Sequence, residues 1–219
     1  MASPVLLARL HQEIRSCTRC VDAGYLPAAG PVLSGHPDNR IMLIGQAPGA
    51  VELERRLPFQ GRAGRTLMRW LERAGFPSEA DARRRIYMTS ITKCFPGKSR
   101  STGGGDRRPS SAEIALCRPY LDRQLALIRP DVIILVGGLA LERFLPGRSL
   151  DQLVGRAFDR TGRPLGRNRS SPPVLLPLPH PSGASRWLND PAHQVLLERA
   201  LRLLAGLVRP YLDHPRAAT

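Results

Sequence analysis

The sequence is poor in aromatic residues, at 5% of 219 positions, in cysteine, with four, and in acidic side chains, with 18 against 33 basic ones. Four cysteines are too few for a disulfide framework in a chain of this length, and in a reducing compartment they remain thiols or bind metal. No run approaches the ~20 apolar residues that span a bilayer. The apolar run Val5 to Leu10 is broken by Arg9 and has no small-residue cleavage site after it, so a cytoplasmic protein without a membrane partner is expected. Lysine is nearly missing too, since Lys93 and Lys98 stand alone and arginine supplies the other 31 basic residues.

What is present points to a folded body. At 42% apolar content the chain can bury a substantial core, which excludes a peptide hormone or a disordered tail, and its length suits one domain over residues 1–219. A net charge of +15, carried almost entirely by arginine, makes an anionic polymer the first partner to consider, because guanidinium grips phosphate bidentately and never loses its charge. An ordinary surface in an arginine-rich protein is the alternative. A monomer is expected.

Four short apolar runs, Arg40 to Ile44, Arg85 to Ile91, Asp131 to Gly137 and Pro173 to Leu178, read as buried parallel strands. Helical patterns lie between them at Ala63 to Ala74, Ser110 to Ile128 and Leu139 to Phe144, and a last helix places Leu196, Ala200, Leu203, Leu204 and Leu207 on one face. The alternation gives an α/β fold, an open parallel sheet with helices on both faces. Ser110 with Glu113 predicts a capping box, Asp190 before Pro191 an N-cap, and Pro119 a kink near Cys117. Residues 97–109 are Gly/Ser-rich and basic, and are expected to form a flexible loop available to phosphate. The segment 1–39 is expected to pack on the domain, and the tail 210–219 to be disordered.

In open parallel sheets the chemistry sits beyond the carboxyl ends of the strands. The loops there are Gln46-Ala47-Pro48-Gly49, Thr92-Lys93-Cys94-Phe95-Pro96, Gly137-Gly138 and Pro179-His180-Pro181-Ser182. Cys17 and Cys20 form a C-x-x-C pair, while Cys94 and Cys117 are separated by 22 residues. A zinc ribbon normally has a second tight pair. One compact pair with two distant thiolates fits a four-iron, four-sulfide cubane, with zinc, redox use and four unrelated thiols left open.

Gly45-Gln46-Ala47-Pro48-Gly49, Pro58-Phe59-Gln60-Gly61-Arg62-Ala63-Gly64, Thr89-Ser90-Ile91-Thr92-Lys93-Cys94 and His180-Pro181-Ser182, in this order and with these cysteines, resemble the iron–sulfur uracil-DNA glycosylases of families four and five. The likeness runs from Cys17 to roughly the last helix. It implies a three-layer αβα fold around a central four-stranded parallel sheet. It also implies a structural [4Fe–4S] cluster on Cys17, Cys20, Cys94 and Cys117, and hydrolytic, monofunctional excision of uracil from DNA in base excision repair.

By the same resemblance His180 is the donor to uracil O2, Phe59 the stacking face, and the Gln46-Ala47-Pro48 turn a second set of contacts to the base. Arg186 and Trp187 correspond to the wedge entering the minor groove, with Ser182 and Arg62 beside phosphate; packing of Trp187 on the last helix is the other reading. Two positions depart from family four. Gln46 stands where that family commonly has an acid, and can orient a water or touch the base but not act as a general base. Ser90 stands where an asparagine reads the uracil edge, so hypoxanthine or xanthine is an alternative substrate. A catalytically weak or inactive lesion-binding protein is a second reading, and a small-molecule hydrolase or redox protein a third.

Overall fold

The computed structural model describes residues 3–99, 105–166, 172–183 and 185–213. The elements in chain order are α1 Pro4–Arg15, α2 Arg19–Asp22, β1 Ile41–Gly45, α3 Ala50–Arg55, α4 Arg62–Arg73, α5 Glu79–Arg85, β2 Ile86–Ser90, α6 Ser111–Ile128, β3 Val132–Val136, α7 Gly138–Phe144, α8 Leu150–Leu153, β4 Val174–Leu178 and α9 Pro191–Leu212. A 3₁₀ turn at Arg186–Asn189 precedes α9.

The four strands pair in parallel in the order β2-β1-β3-β4. Every strand residue is buried, as expected of continuous apolar runs covered on both faces. Successive side chains point to opposite sides of the sheet. Ile41, Leu43, Met88, Ile134 and Leu176 join Leu67, Leu71, Leu201 and Leu204 from α4 and α9. Met42, Ile44, Tyr87, Ile133 and Leu175 join Leu7, Leu121, Ile128 and Leu141 from α1, α6 and α7. The result is the expected three-layer arrangement. Pro177 is tolerated within β4 because that strand lies at the sheet edge, where a missing N–H breaks no inner ladder.

The capping box at Ser110 and Glu113 is formed in both directions, at 3.2 and 2.8 Å, and Asp190 accepts from the Ala192 N–H at 2.8 Å. Helix α6 continues through Pro119 without a break. In the basic segment the described residues on either side of 100–104 form two arms. These arms pair antiparallel at Lys98 and Asp106, with Ser99 N–H donating to Gly105 and Arg107 N–H to Gly97. Residues 100–104 lie outside the described residues. So do 214–219 of the tail, whereas 210–212 extend α9. α1 carries Leu10 and Ile14 against Tyr120 of α6 and Leu33.

The chain passes from β1 to β2 on one side and to β3 on the other, so a crevice opens between the carboxyl ends of β1 and β3. No helix among the described residues is long and apolar enough to cross a membrane.

Candidate active site

A pocket of about 580 Å³, counting its open mouth, lies at the carboxyl ends of β1 and β2, beside the loop after β4. Its wall includes Gly45, Ala47 and Pro48 after β1, Phe59 before α4, Ser90 at the end of β2 and His180 after β4. These loops are adjacent because parallel strands end at the same side of the sheet.

His180 is held by two features. Gly137, in the left-handed region at φ 82, leaves the room it needs, for a Cβ there would come within 3.0 Å of His180 Cδ2. Ser182 lies on the other side, its hydroxyl 2.8 Å from His180 Nδ1 and its backbone N–H donating to the same nitrogen at 3.3 Å. A backbone N–H only donates, so Nδ1 presents a lone pair and the neutral ring carries its proton on Nε2. Burial lowers the His180 pKa, favouring this uncharged form. The site therefore holds a neutral Nε2–H donor. The Ser182 hydroxyl, expected beside phosphate, faces the histidine, while its carbonyl accepts from Ser185 N–H at 3.1 Å.

Phe59 sits in the left-handed region at φ 56, a costly conformation for a bulky residue. Opposite charges fix it there. Arg83 of α5 donates to the carbonyls of Pro58 and Phe59 at 2.8 and 3.0 Å, and is itself held by Glu79 at 2.8 Å. Glu52 of α3 accepts from the N–H groups of Gln60 and Gly61 through Oε1, at 2.8 and 2.7 Å, and from Gly49 N–H through Oε2 at 3.0 Å. One carboxylate thus ties the loop after β1 to the loop carrying Phe59. The Phe59 ring lies against the end of β1, where a Cβ on Gly45 would meet its Cζ at 3.0 Å.

Ser90 lines the pocket, and its hydroxyl donates to the Thr92 carbonyl at 2.6 Å. With its proton committed, the oxygen offers a base only lone pairs. Gln46 is half-buried but is not part of the pocket wall, and its carbonyl accepts from Thr92 N–H at 3.2 Å. Two acids that sequence reasoning missed do line the pocket, Glu52 and Asp106. The Gly49-x-x-Glu52 spacing was a legible helix-start signal for the first. Nothing in the sequence marked Asp106, which lies in the basic segment.

Away from the pocket, Arg62 is exposed at the first position of α4 and Arg186 is exposed in the 3₁₀ turn. Trp187 is held to the protein. It stacks on His193 with centroids 4.2 Å apart and planes 2° from parallel, and its Nε1–H donates to Asp151 at 2.6 Å. This is the packing alternative of the sequence analysis, and Ala184 nearby lies outside the described residues. In the basic segment Lys98 pairs with Asp106 at 2.7 Å, and Arg107 pairs bidentately with Glu113 at 2.7 Å through both nitrogens, so these two cations already have partners.

The four cysteines ring a second cavity of about 480 Å³, its mouth included, together with Thr92, Lys93, Glu113 and Tyr120. Lys93 N–H donates to Cys117 Sγ at 3.3 Å, and the fully buried Lys93 ammonium donates to the Ser90 carbonyl. Burial pushes the Cys20 and Cys94 thiols up to about 11, and Cys117 upward as well, so a cation beside these three would favour their thiolates. Thr92 Oγ1 is buried without a hydrogen-bond partner among the described residues. No three His, Cys, Asp or Glu side chains among the described residues are placed to hold a single metal ion. The donor set and the orphaned hydroxyl fit a cluster whose sulfides accept hydrogen bonds and whose ligands come from separate elements.

The sequence model of the uracil DNA glycosylase superfamily matches residues 34–203, a span that takes in the whole sheet and every pocket-lining residue except Val32. The chain belongs to the uracil DNA glycosylase superfamily. Among its relatives, the type-4 uracil-DNA glycosylase of Pyrobaculum aerophilum is 31% identical over 161 residues, covering 74% of this chain and 72% of the relative. The type-4 uracil-DNA glycosylase of Thermotoga maritima is 29% identical over 196 residues, 88% of this chain and 90% of the relative. The type-5 uracil-DNA glycosylase of Thermus thermophilus is 32% identical over 122 residues, about half of each chain. These two types are the families to which the motifs pointed.

Proposed function

We propose that the protein is a DNA glycosylase that turns uracil out of DNA and hydrolyses its glycosidic bond, releasing the free base and leaving an abasic site. The observation that carries this reading is the neutral His180, fixed by Ser182 and Gly137 in a pocket shared with Phe59. Extruding the nucleotide sacrifices stacking, and the Phe59 face replaces it. As the C1′–N1 bond breaks, positive charge grows on the sugar and negative charge on the base. The His180 Nε2–H donates to the uracil O2 as that charge develops, and N–H groups of the Gln46-Ala47 turn supply further donors. A neutral donor suffices, since its task is to stabilise the anion rather than to surrender a proton.

Cys17, Cys20, Cys94 and Cys117 would hold a [4Fe–4S] cluster, whose role is to join the N-terminal segment, the loop after β2 and α6. The phosphate backbone would meet the arginine-rich surface, Arg62 and Arg186 among it. The committed Ser90 hydroxyl favours a second reading of the substrate range. An acceptor alone can take the N3–H of uracil or the N1–H of hypoxanthine, and does not itself engage the neighbouring carbonyl. Excision of hypoxanthine alongside uracil is expected on that ground.

A panel of oligonucleotides, each with one altered base, incubated with purified protein and heated in alkali, tests the reading. Strand breaks at uracil support it. Salt-sensitive DNA binding with no abasic product from any base would leave a lesion-binding protein instead. Purified protein should be brown, and colourless protein with stoichiometric zinc would overturn the cluster.

A further inference from the structure

Hydrolysis needs a group that orients and deprotonates the attacking water, and the motif position after Gly45 supplies only the amide Gln46. That side chain is not part of the pocket wall, whereas Asp106, 60 residues further along the chain, is. We propose that Asp106 is the carboxylate that positions and activates the water for glycosidic hydrolysis, a proposal that rests on the glycosylase reading above.

The local geometry prepares it for that task. The antiparallel pairing of Lys98 with Asp106 anchors the backbone, and the Lys98 ammonium donates to Asp106 Oδ1 at 2.7 Å. Asp106 Oδ2 makes no hydrogen bond among the described residues. It is directed at Gly49, so close that a Cβ on that glycine would lie 2.8 Å from it, and the same added carbon would lie 2.7 Å from Glu52 Oε2. Gly49 is therefore the residue type that admits both carboxylates, and they are not equivalent. Both Glu52 oxygens are taken up by backbone N–H groups of the pocket loops, leaving Asp106 as the carboxylate with a free oxygen on the pocket wall. In a chain of net charge +15 whose proposed substrate is a polyanion, an acid on the pocket wall works against affinity, which argues for a role in the chemistry.

In the step, the water oxygen bonds to C1′ as the C1′–N1 pair leaves with the base. One water proton passes to Asp106 Oδ2, and the departing uracil anion, held by His180, later takes a proton from solvent. The carboxylate charge also opposes the positive charge that builds on the sugar. Lys98 fixes the carboxylate's orientation from its outer oxygen, and acts as a positioning residue.

The test is single-turnover excision by Asp106→Asn, Asp106→Ala and Lys98→Met on the substrate the wild type cleaves best, with DNA affinity measured in parallel. Asp106→Asn should be slower by about 100-fold or more, within the range of general-base contributions. Its DNA binding should be unchanged or tighter, since a negative charge has been removed. Formate or azide should partly restore Asp106→Ala, which a merely structural role would not produce, and Lys98→Met should show a smaller loss. Excision by Asp106→Asn within threefold of wild type, or a loss that parallels lost DNA binding without rescue of the alanine variant, would overturn the assignment while leaving the glycosylase reading intact. Wild-type protein that excises no base would overturn both.

Discussion

Replacing Glu52 by glutamine is the most instructive perturbation of the pocket, because one side chain there satisfies three backbone N–H groups belonging to two loops. Glutamine retains a single acceptor oxygen. If that oxygen stays with Gln60 and Gly61, the new NH₂ faces the Gly49 N–H; if it turns to Gly49, two donors are abandoned. Each unsatisfied buried donor costs about 1–3 kcal/mol, and the bonds that survive lose their charge assistance. Glu52 is half-buried and water reaches part of the site, so a total of about 1–3 kcal/mol is expected. For a chain of this length that is a fall in Tm of roughly 3–10 °C. Phe59 is held at its left-handed φ by the same bonds, so single-turnover excision of uracil should slow by about 10- to 100-fold, the penalty for a misplaced binding surface. Thermal unfolding and quenched-flow excision on one preparation measure both. A Glu52→Gln protein with Tm within 1 °C of wild type and unaltered excision would refute the idea that this carboxylate assembles the pocket.

Further expectations follow from other contacts. Ser90→Asn, which offers both a donor and an acceptor to the base edge, should raise the ratio of uracil to hypoxanthine excision by about tenfold, read from competition between the two oligonucleotides; an unchanged ratio would remove Ser90 from base selection. Thr92→Val removes the orphaned hydroxyl from the cysteine cavity, and should move the reduction potential of the proposed cluster to more negative values if that hydroxyl would donate to one of its sulfides, whereas an unmoved potential would mean that the hydroxyl does not face it. His11, buried against the Tyr87 hydroxyl at 2.6 Å, has its pKa lowered by burial from 6.5 to about 4. The unfolded chain then binds a proton that the folded one refuses between these values, so stability falls as pH drops from about 6.5 towards 4. His11→Gln should lose less Tm than wild type between pH 7 and 5, and an equal loss would place the acid sensitivity elsewhere.

The sheet was legible because parallel strands covered on both faces appear as unbroken apolar runs, and each observed strand falls within or one residue beyond the run that marked it. The strand order was legible in neither periodicity nor motifs, and is seen only in the structure. Helices α3 and α5 escaped notice for a physical reason. The sequences AVELER and EADARRR bury little apolar surface, and their work is done by Glu52 and Arg83 on the backbone of neighbouring loops. Periodicity does not report such contacts. Likewise Trp187 could be read as wedge or as packing, and only the position of His193 and Asp151 distinguishes the observed arrangement. Asp106 was hidden because a Gly-rich basic segment reads as solvent, while its fold depends on antiparallel pairing of the two arms.

Stabilisation of the departing base by a neutral His180 is the step on which the glycosylase reading turns. The direct measurement compares wild type and His180→Ala in single-turnover release of uracil from one labelled oligonucleotide, with DNA affinity determined alongside. Wild type should release uracil fully, and the variant at a rate lower by about 100-fold or more, at unchanged affinity. Release by His180→Ala at the wild-type rate, or no release by wild type at all, would contradict it.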